Sequence, residues 1–271
     1  MTARRSGHGA RGAGAWAIGA AAVVLLAGCR TDLQGGDAPS SGDPSAASGA
    51  AAPDVGGGGG EFGVSPLTNP DGTKRGLGPL TSAADRKSGL AVIDKVATKG
   101  RGPKTGYDRD EFGYAWMDSA SGVPDAHNGC DTRDDVLKRD GDDVKYRSGS
   151  DCVLISMTLH DPYTAKTIDW RKTKATTVQI DHVMPLSYDW QMGAAHWAKS
   201  KREQIANDPL NLLPVDGSLN ESKGDAGPAT WLPPNKAIRC SYAVRFAQVS
   251  IKYELPVTTA DKSAMARQCG G

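Results

Sequence analysis

The sequence predicts an α+β domain, stapled by disulfides, behind a targeting segment and a tether. Three observations carry this. Strand-like and helix-like runs are mixed without regular β-α alternation, which excludes a doubly wound parallel sheet. Four of the five cysteines fall after residue 100, an even number suited to two bridges in an exported domain. Residues 1 to 60 differ sharply in composition from the rest, leaving residues 61 to 271 as one domain.

The chain begins with a basic stretch, Arg4, Arg5 and Arg11, followed by an apolar run from Ala15 to Ala27. A membrane span needs roughly 20 apolar residues, and this run is too short. It reads as a signal segment, residues 1–28, to be set aside from fold reasoning. It ends in Leu26-Ala27-Gly28-Cys29, which resembles the lipobox of bacterial lipoproteins. That resemblance implies cleavage before Cys29, lipidation of Cys29 and a membrane-tethered, extracytoplasmic location. Residues 29–60 are rich in Gly, Ala, Ser and Pro and include the unbroken run Gly56 to Gly60. Such a stretch has too little apolar surface to offset the entropy of ordering, so a flexible tether is expected.

Within residues 61–271 the elements are expected in this order. Leu90, Ile93 and Val96 recur at helical spacing, giving a helix from Ser82 to about Lys99 that stops at Gly100. Thr105 to Asp118 is aromatic and turn-rich. A short helix follows Cys130. Cys152 to Leu159 is a strand, broken at His160-Asp161-Pro162, and Thr164 to Trp170 returns as its hairpin partner. Thr177 to Ile180 is a further strand running into Asp181-His182. Ala195 to Asn207 is helical, Leu210 to Val215 is a strand, and Ser218-Leu219-Asn220-Glu221 matches a capping box opening a helix. Short helices are expected at Pro228 to Trp231 and Thr259 to Gln268, with a longer amphipathic one from Ile238 to Leu255. The tryptophans are assigned to the core, and His127, His160 and His196 to structural roles. The cysteines allow three pairings. The sequential one, Cys130–Cys152 and Cys240–Cys269, closes two short local loops. A zinc site is disfavoured because no C-x-x-C spacing occurs.

Charge is uninformative about partners. Lysine plus arginine total 32 and aspartate plus glutamate 31. The informative stretch is 177–225. It holds Ile180-Asp181-His182-Val183-Met184-Pro185-Leu186, then Asn207-Asp208-Pro209-Leu210-Asn211-Leu212-Leu213, then Asn220-Glu221-Ser222-Lys223-Gly224-Asp225. An Asp-His pair ends one strand, an Asn begins a second, and an Asn sits in the first turn of a helix. Each residue alone is more simply a turn, cap or surface residue. In this order their polar groups converge.

The arrangement resembles the HNH endonucleases, whose core is the ββα-metal or His-Me finger. The likeness is closest to the C-terminal domain of GmrSD-type restriction enzymes and to small secreted actinobacterial HNH proteins. In those a Cys-Asp-Thr-Arg segment precedes the core, as Cys130 to Arg133 does here. The resemblance implies a ββα-metal core with flanking helices and a β-hairpin. It implies hydrolysis of phosphodiester bonds in DNA, or RNA, with little sequence preference. His182 would be the general base and Asn211 would hold the loop that carries it. Asp181 and Asn220 would bind a divalent metal. Their hard oxygens favour Mg²⁺, with Mn²⁺ as its substitute. Lys223 and Arg133 would meet substrate phosphate. The rival reading is a non-catalytic envelope lipoprotein, either nucleic-acid-binding or structural.

Overall fold

A computed structural model describes residues 62–271. The signal segment, Cys29 and the rest of the tether lie outside the described residues.

The first helix, α1 (Ala83–Asp94), is capped by Ser82, whose hydroxyl accepts from Asp85 N–H. It stops short of the expected Lys99. Ala97 and Lys99 instead form backbone hydrogen bonds with Val257, in a parallel bridge at Thr98. Helix α2 (Thr132–Asp140) follows, with Asp131 as its cap. Next come β1 (Gly141–Tyr146), β2 (Leu154–Asp161) and β3 (Lys166–Arg171), an antiparallel sheet in the order β1-β2-β3. The β2–β3 hairpin was expected, but β2 continues through His160 and Asp161. The Asp161 carboxylate makes the turn by accepting from the N–H groups of Tyr163 and Thr164. The expectations contain no β1, because Gly-Asp-Asp-Val-Lys-Tyr lacks apolar alternation and pairs through an irregular register.

Strand β4 (Val178–His182) pairs antiparallel with β5 (Leu212–Asp216), His182 opposite Leu212 and Val178 opposite Asp216. Between them lie α3 (Leu186–Met192) and α4 (Lys199–Asn207). Helix α3 escaped the periodicity reading because its first four residues are all buried, leaving no polar face. Helix α4 starts later than expected, after a separate 3-10 turn at Ala194–His196. Helix α5 (Gly217–Lys223) leaves β5 directly. Its cap is Asp216, which accepts from Leu219 N–H at 3.0 Å, so the expected capping box at Ser218 is displaced by two residues. Residues 228–231 form a turn rather than a helix. Helices α6 (Arg239–Tyr253) and α7 (Thr259–Gln268) close the chain.

The fold is α+β, with two small antiparallel sheets. The larger core gathers Val244, Phe246 and Val249 of α6 with Leu77, Ile93, Tyr188 and Leu213. A smaller core joins α2 to both sheets through Val136, Leu137, Leu159, Trp170, Ile180 and Leu212. Disulfides link Cys130 to Cys152 and Cys240 to Cys269, the sequential pairing expected. No helix among the described residues is long and apolar enough to cross a membrane.

Candidate active site

The end of β4 and helix α5 meet at one cleft of about 570 Å³, lined by Asp181, His182, Asn220, Arg133 and Arg109 among others. Five short residues of β4 deliver Asp181 and His182 because Val178 and Ile180 anchor the strand in the smaller core.

His182 is buried. Its ring lies nearly parallel to Trp116, centroids 5.9 Å apart and planes at 9°. Its Nε2 stands 2.9 Å from the Ala206 carbonyl oxygen. A carbonyl only accepts, so Nε2 carries the proton and Nδ1 keeps the lone pair. Burial, then the nearby Arg109 and Lys223 charges, push the imidazole pKa down to about 3, against the Ala206 hydrogen bond. The ring is therefore neutral at any ordinary working pH.

Asn211 is fully buried. Its Oδ1 accepts from Met184 N–H at 2.8 Å, and its Nδ2 donates to the carbonyls of Met184 and Ile205. Its backbone carbonyl accepts from Val183 N–H at 2.8 Å. One side chain thus fixes the segment that leaves His182.

Asp181 accepts at both oxygens from Lys223 Nζ, at 2.7 and 2.8 Å, and at Oδ2 from Tyr163 OH at 2.5 Å. Burial raises the carboxyl pKa, and the Lys223 charge opposes it. A carboxylate offers about four lone pairs. Three are engaged here, so Oδ1 retains one. Lys223 departs from expectation. Its side chain is 0% exposed, and its Nζ also donates to the His182 carbonyl oxygen at 2.7 Å. An ammonium with all three protons committed inside the protein does not meet a phosphate. Lys223 is a structural partner of Asp181, and the expected phosphate contact is corrected accordingly.

Asn220 donates through Nδ2 to Gln179 Oε1 at 2.8 Å. Arg133 lines the cleft half-buried, with Nη2 3.3 Å from the Val178 carbonyl oxygen. Among the described residues no group of three or more His, Cys, Asp or Glu side chains is placed to hold a metal. A site of one carboxylate and one amide oxygen fits Mg²⁺, which keeps several waters, and does not fit zinc.

Arg109 and Trp116 were absent from the sequence-based set. Both come from the aromatic, turn-rich stretch, which has no local signature of a site. The backbone marks Trp116, which adopts a positive φ of 62°, a conformation a bulky residue rarely takes without external constraint. Trp170 lies in the smaller core, as the sequence predicts, and Trp116 packs against that core while its partly exposed side walls the cleft.

The sequence has counterparts among known proteins. The family model for the GmrSD restriction endonucleases, C-terminal domain, matches residues 131–268. The chain belongs to this family, an HNH-type endonuclease domain. An uncharacterized secreted protein of Arthroderma benhamiae (strain ATCC MYA-4681 / CBS 112371) is 40% identical over 176 residues, 64% of this chain and 79% of that one. No solved structure matches.

Proposed function

We propose that the chain is an extracytoplasmic, metal-dependent endonuclease that hydrolyses phosphodiester bonds in DNA, or RNA, with little sequence preference. In this reading β4, β5 and α5 are a ββα-metal core, residues 61–271 are the nuclease domain, and Cys29 carries a lipid anchor behind the 29–60 tether. The observation that carries the reading is His182. Its proton is parked on Nε2 by a backbone carbonyl, which leaves the lone pair on Nδ1, and the residue lines the cleft together with Asp181 and Asn220. The secreted relative is consistent with the location.

His182 Nδ1 takes the proton from an attacking water. Asn211 holds its loop, and the Trp116 face restrains the ring. Asp181 Oδ1 and Asn220 Oδ1 would hold one divalent cation, Mg²⁺ or Mn²⁺. When bound, that cation would acidify water and stabilise charge on phosphate and leaving oxygen. Arg133 and Arg109 would meet the phosphate, replacing Lys223 in that role.

The test is DNA and RNA cleavage by the purified chain in Mg²⁺ or Mn²⁺, with and without excess chelator. Chelator-sensitive cleavage is expected. Tight nucleic-acid binding without cleavage under every divalent metal would favour a non-catalytic binder instead.

A further inference from the structure

The amide of Asn220 is symmetric in shape but not in chemistry. One end accepts and can ligate a cation; the other end donates and repels it. Rotating the amide by half a turn would abolish a ligand without moving an atom position appreciably. A neighbour must therefore decide which end faces the cleft.

Two hydrogen bonds form a chain that decides it. Asn220 Nδ2 donates to Gln179 Oε1 at 2.8 Å, and Gln179 Nε2 donates to Glu221 Oε1 at 2.8 Å. The last member is a carboxylate, which when ionised only accepts. Glu221 therefore requires the NH₂ end of Gln179, which leaves Gln179 its oxygen to face Asn220. That oxygen in turn requires the NH₂ end of Asn220, which leaves Asn220 Oδ1 as the atom it offers to the cleft it lines. The opposite polarity would set two acceptors, or two donors, against each other. Gly217 packs against the same strand entry: a Cβ there would stand 2.0 Å from the Thr176 carbonyl oxygen and 3.3 Å from Gln179 Cγ. Gln179 sits on β4 two residues before Asp181, and Glu221 follows Asn220 on α5, so the chain also spans strand and helix.

We propose that Gln179 and Glu221 are positioning residues that set the amide polarity of Asn220, so that its oxygen rather than its nitrogen serves as a metal ligand. This rests on the metal-dependent reading above. Partners behind a ligand typically change metal affinity about 10–100-fold when lost.

The test is calorimetric titration of the full chain with Mn²⁺ alone, without nucleic acid, with a thermal melt of each variant. Gln179→Leu should weaken Mn²⁺ binding by about 10–100-fold. Glu221→Gln should weaken it less, because two facing amides permit both polarities. The double variant Gln179→Glu with Glu221→Gln should recover most of the loss. A carboxylate in the middle accepts from both neighbours and again demands the Asn220 NH₂. A purely structural role would show no such recovery. Wild-type affinity in Gln179→Leu, alongside a loss in Asn220→Ala, would overturn the relay and spare the metal reading. Absence of Mn²⁺ binding by the wild type would overturn both. If Gln179→Leu fails to fold, Glu221→Gln against the double variant decides. Equal weakening of the two then counts against the relay.

Discussion

The two sheets are built on opposite terms. Strands β1, β2 and β3 are half-exposed, and their ion pairs stand at the surface: Arg75–Asp142 is 2.5 Å long, with side chains 33% and 41% exposed. Strands β4 and β5 are shorter yet almost wholly buried, and their ion pair, Asp181–Lys223, is sealed, at 4% and 0% exposed. The exposed sheet rests its apolar face on the smaller core and keeps its charges at the surface. The buried sheet accepts the cost of dehydrating two charges, which folding stability by itself does not require. Buried charge in so small an element marks a candidate site, and a perturbed carboxyl and a perturbed imidazole stand side by side there.

The contrast is sharpest in activity. His182→Ala should lower cleavage about 10²–10⁴-fold while the chain stays folded. Ile155→Thr, on the exposed sheet at 42% exposure, should leave the rate unchanged. A His182→Ala enzyme at wild-type rate would remove the base assignment. Next comes the pair of ion pairs. Lys223→Met strands a buried Asp181 carboxylate and should destabilise by about 3–5 kcal/mol. Arg75→Met should cost about 0–1 kcal/mol. Urea denaturation of both variants measures the difference, and equal losses would erase the distinction between the sheets. Reducing Cys130–Cys152, which closes a sequence separation of 22 residues, should cost about 3 kcal/mol in the chain-entropy model. Because reductant also acts on Cys240–Cys269, a melt of Cys130→Ser with Cys152→Ser against the wild type reads it.

A further effect is one of pH. His182 has a folded pKa of about 3 against an ordinary 6.5, so the unfolded chain binds more protons between those values. Stability from this group is intact above pH 6.5 and falls as pH drops towards 3, by up to about 1.4 kcal/mol per unit. His182→Asn should flatten that part of the stability–pH curve. An unchanged slope would mean that the imidazole is not held neutral.

The sequence disclosed most where chemistry and periodicity coincided. Val178 and Ile180 announce a strand that carries Asp181-His182 at its end, and Thr259 to Gln268 matches α7 to the residue. Helix α7 is recognisable because Thr258 caps it and Asp261 sits in its first turn. What stayed hidden depends on distant contacts. Nothing beside Lys223 says that its ammonium reaches back 42 residues to Asp181. An exposed lysine on a short helix has the same local sequence. Arg109 and Trp116 reach the cleft from a loop whose course is set by α2 and α4, not by its own residues. Gln179 looked like an ordinary polar position on a strand.

Asn211 has a consequence for how the chain can vary. Its backbone and side chain bind Val183 and Met184, so the excursion from 183 to 211 leaves and re-enters the site at one residue. The ends are fixed together whatever lies between them. Closing a loop twice as long costs only about 0.6 kcal/mol more. Extra residues at the exposed joint near Ala198, ahead of α4, should therefore leave cleavage intact. Loss of one residue at Ala206, whose carbonyl holds His182, should abolish it. Length is free to drift in the middle of this excursion and is fixed at its returning end.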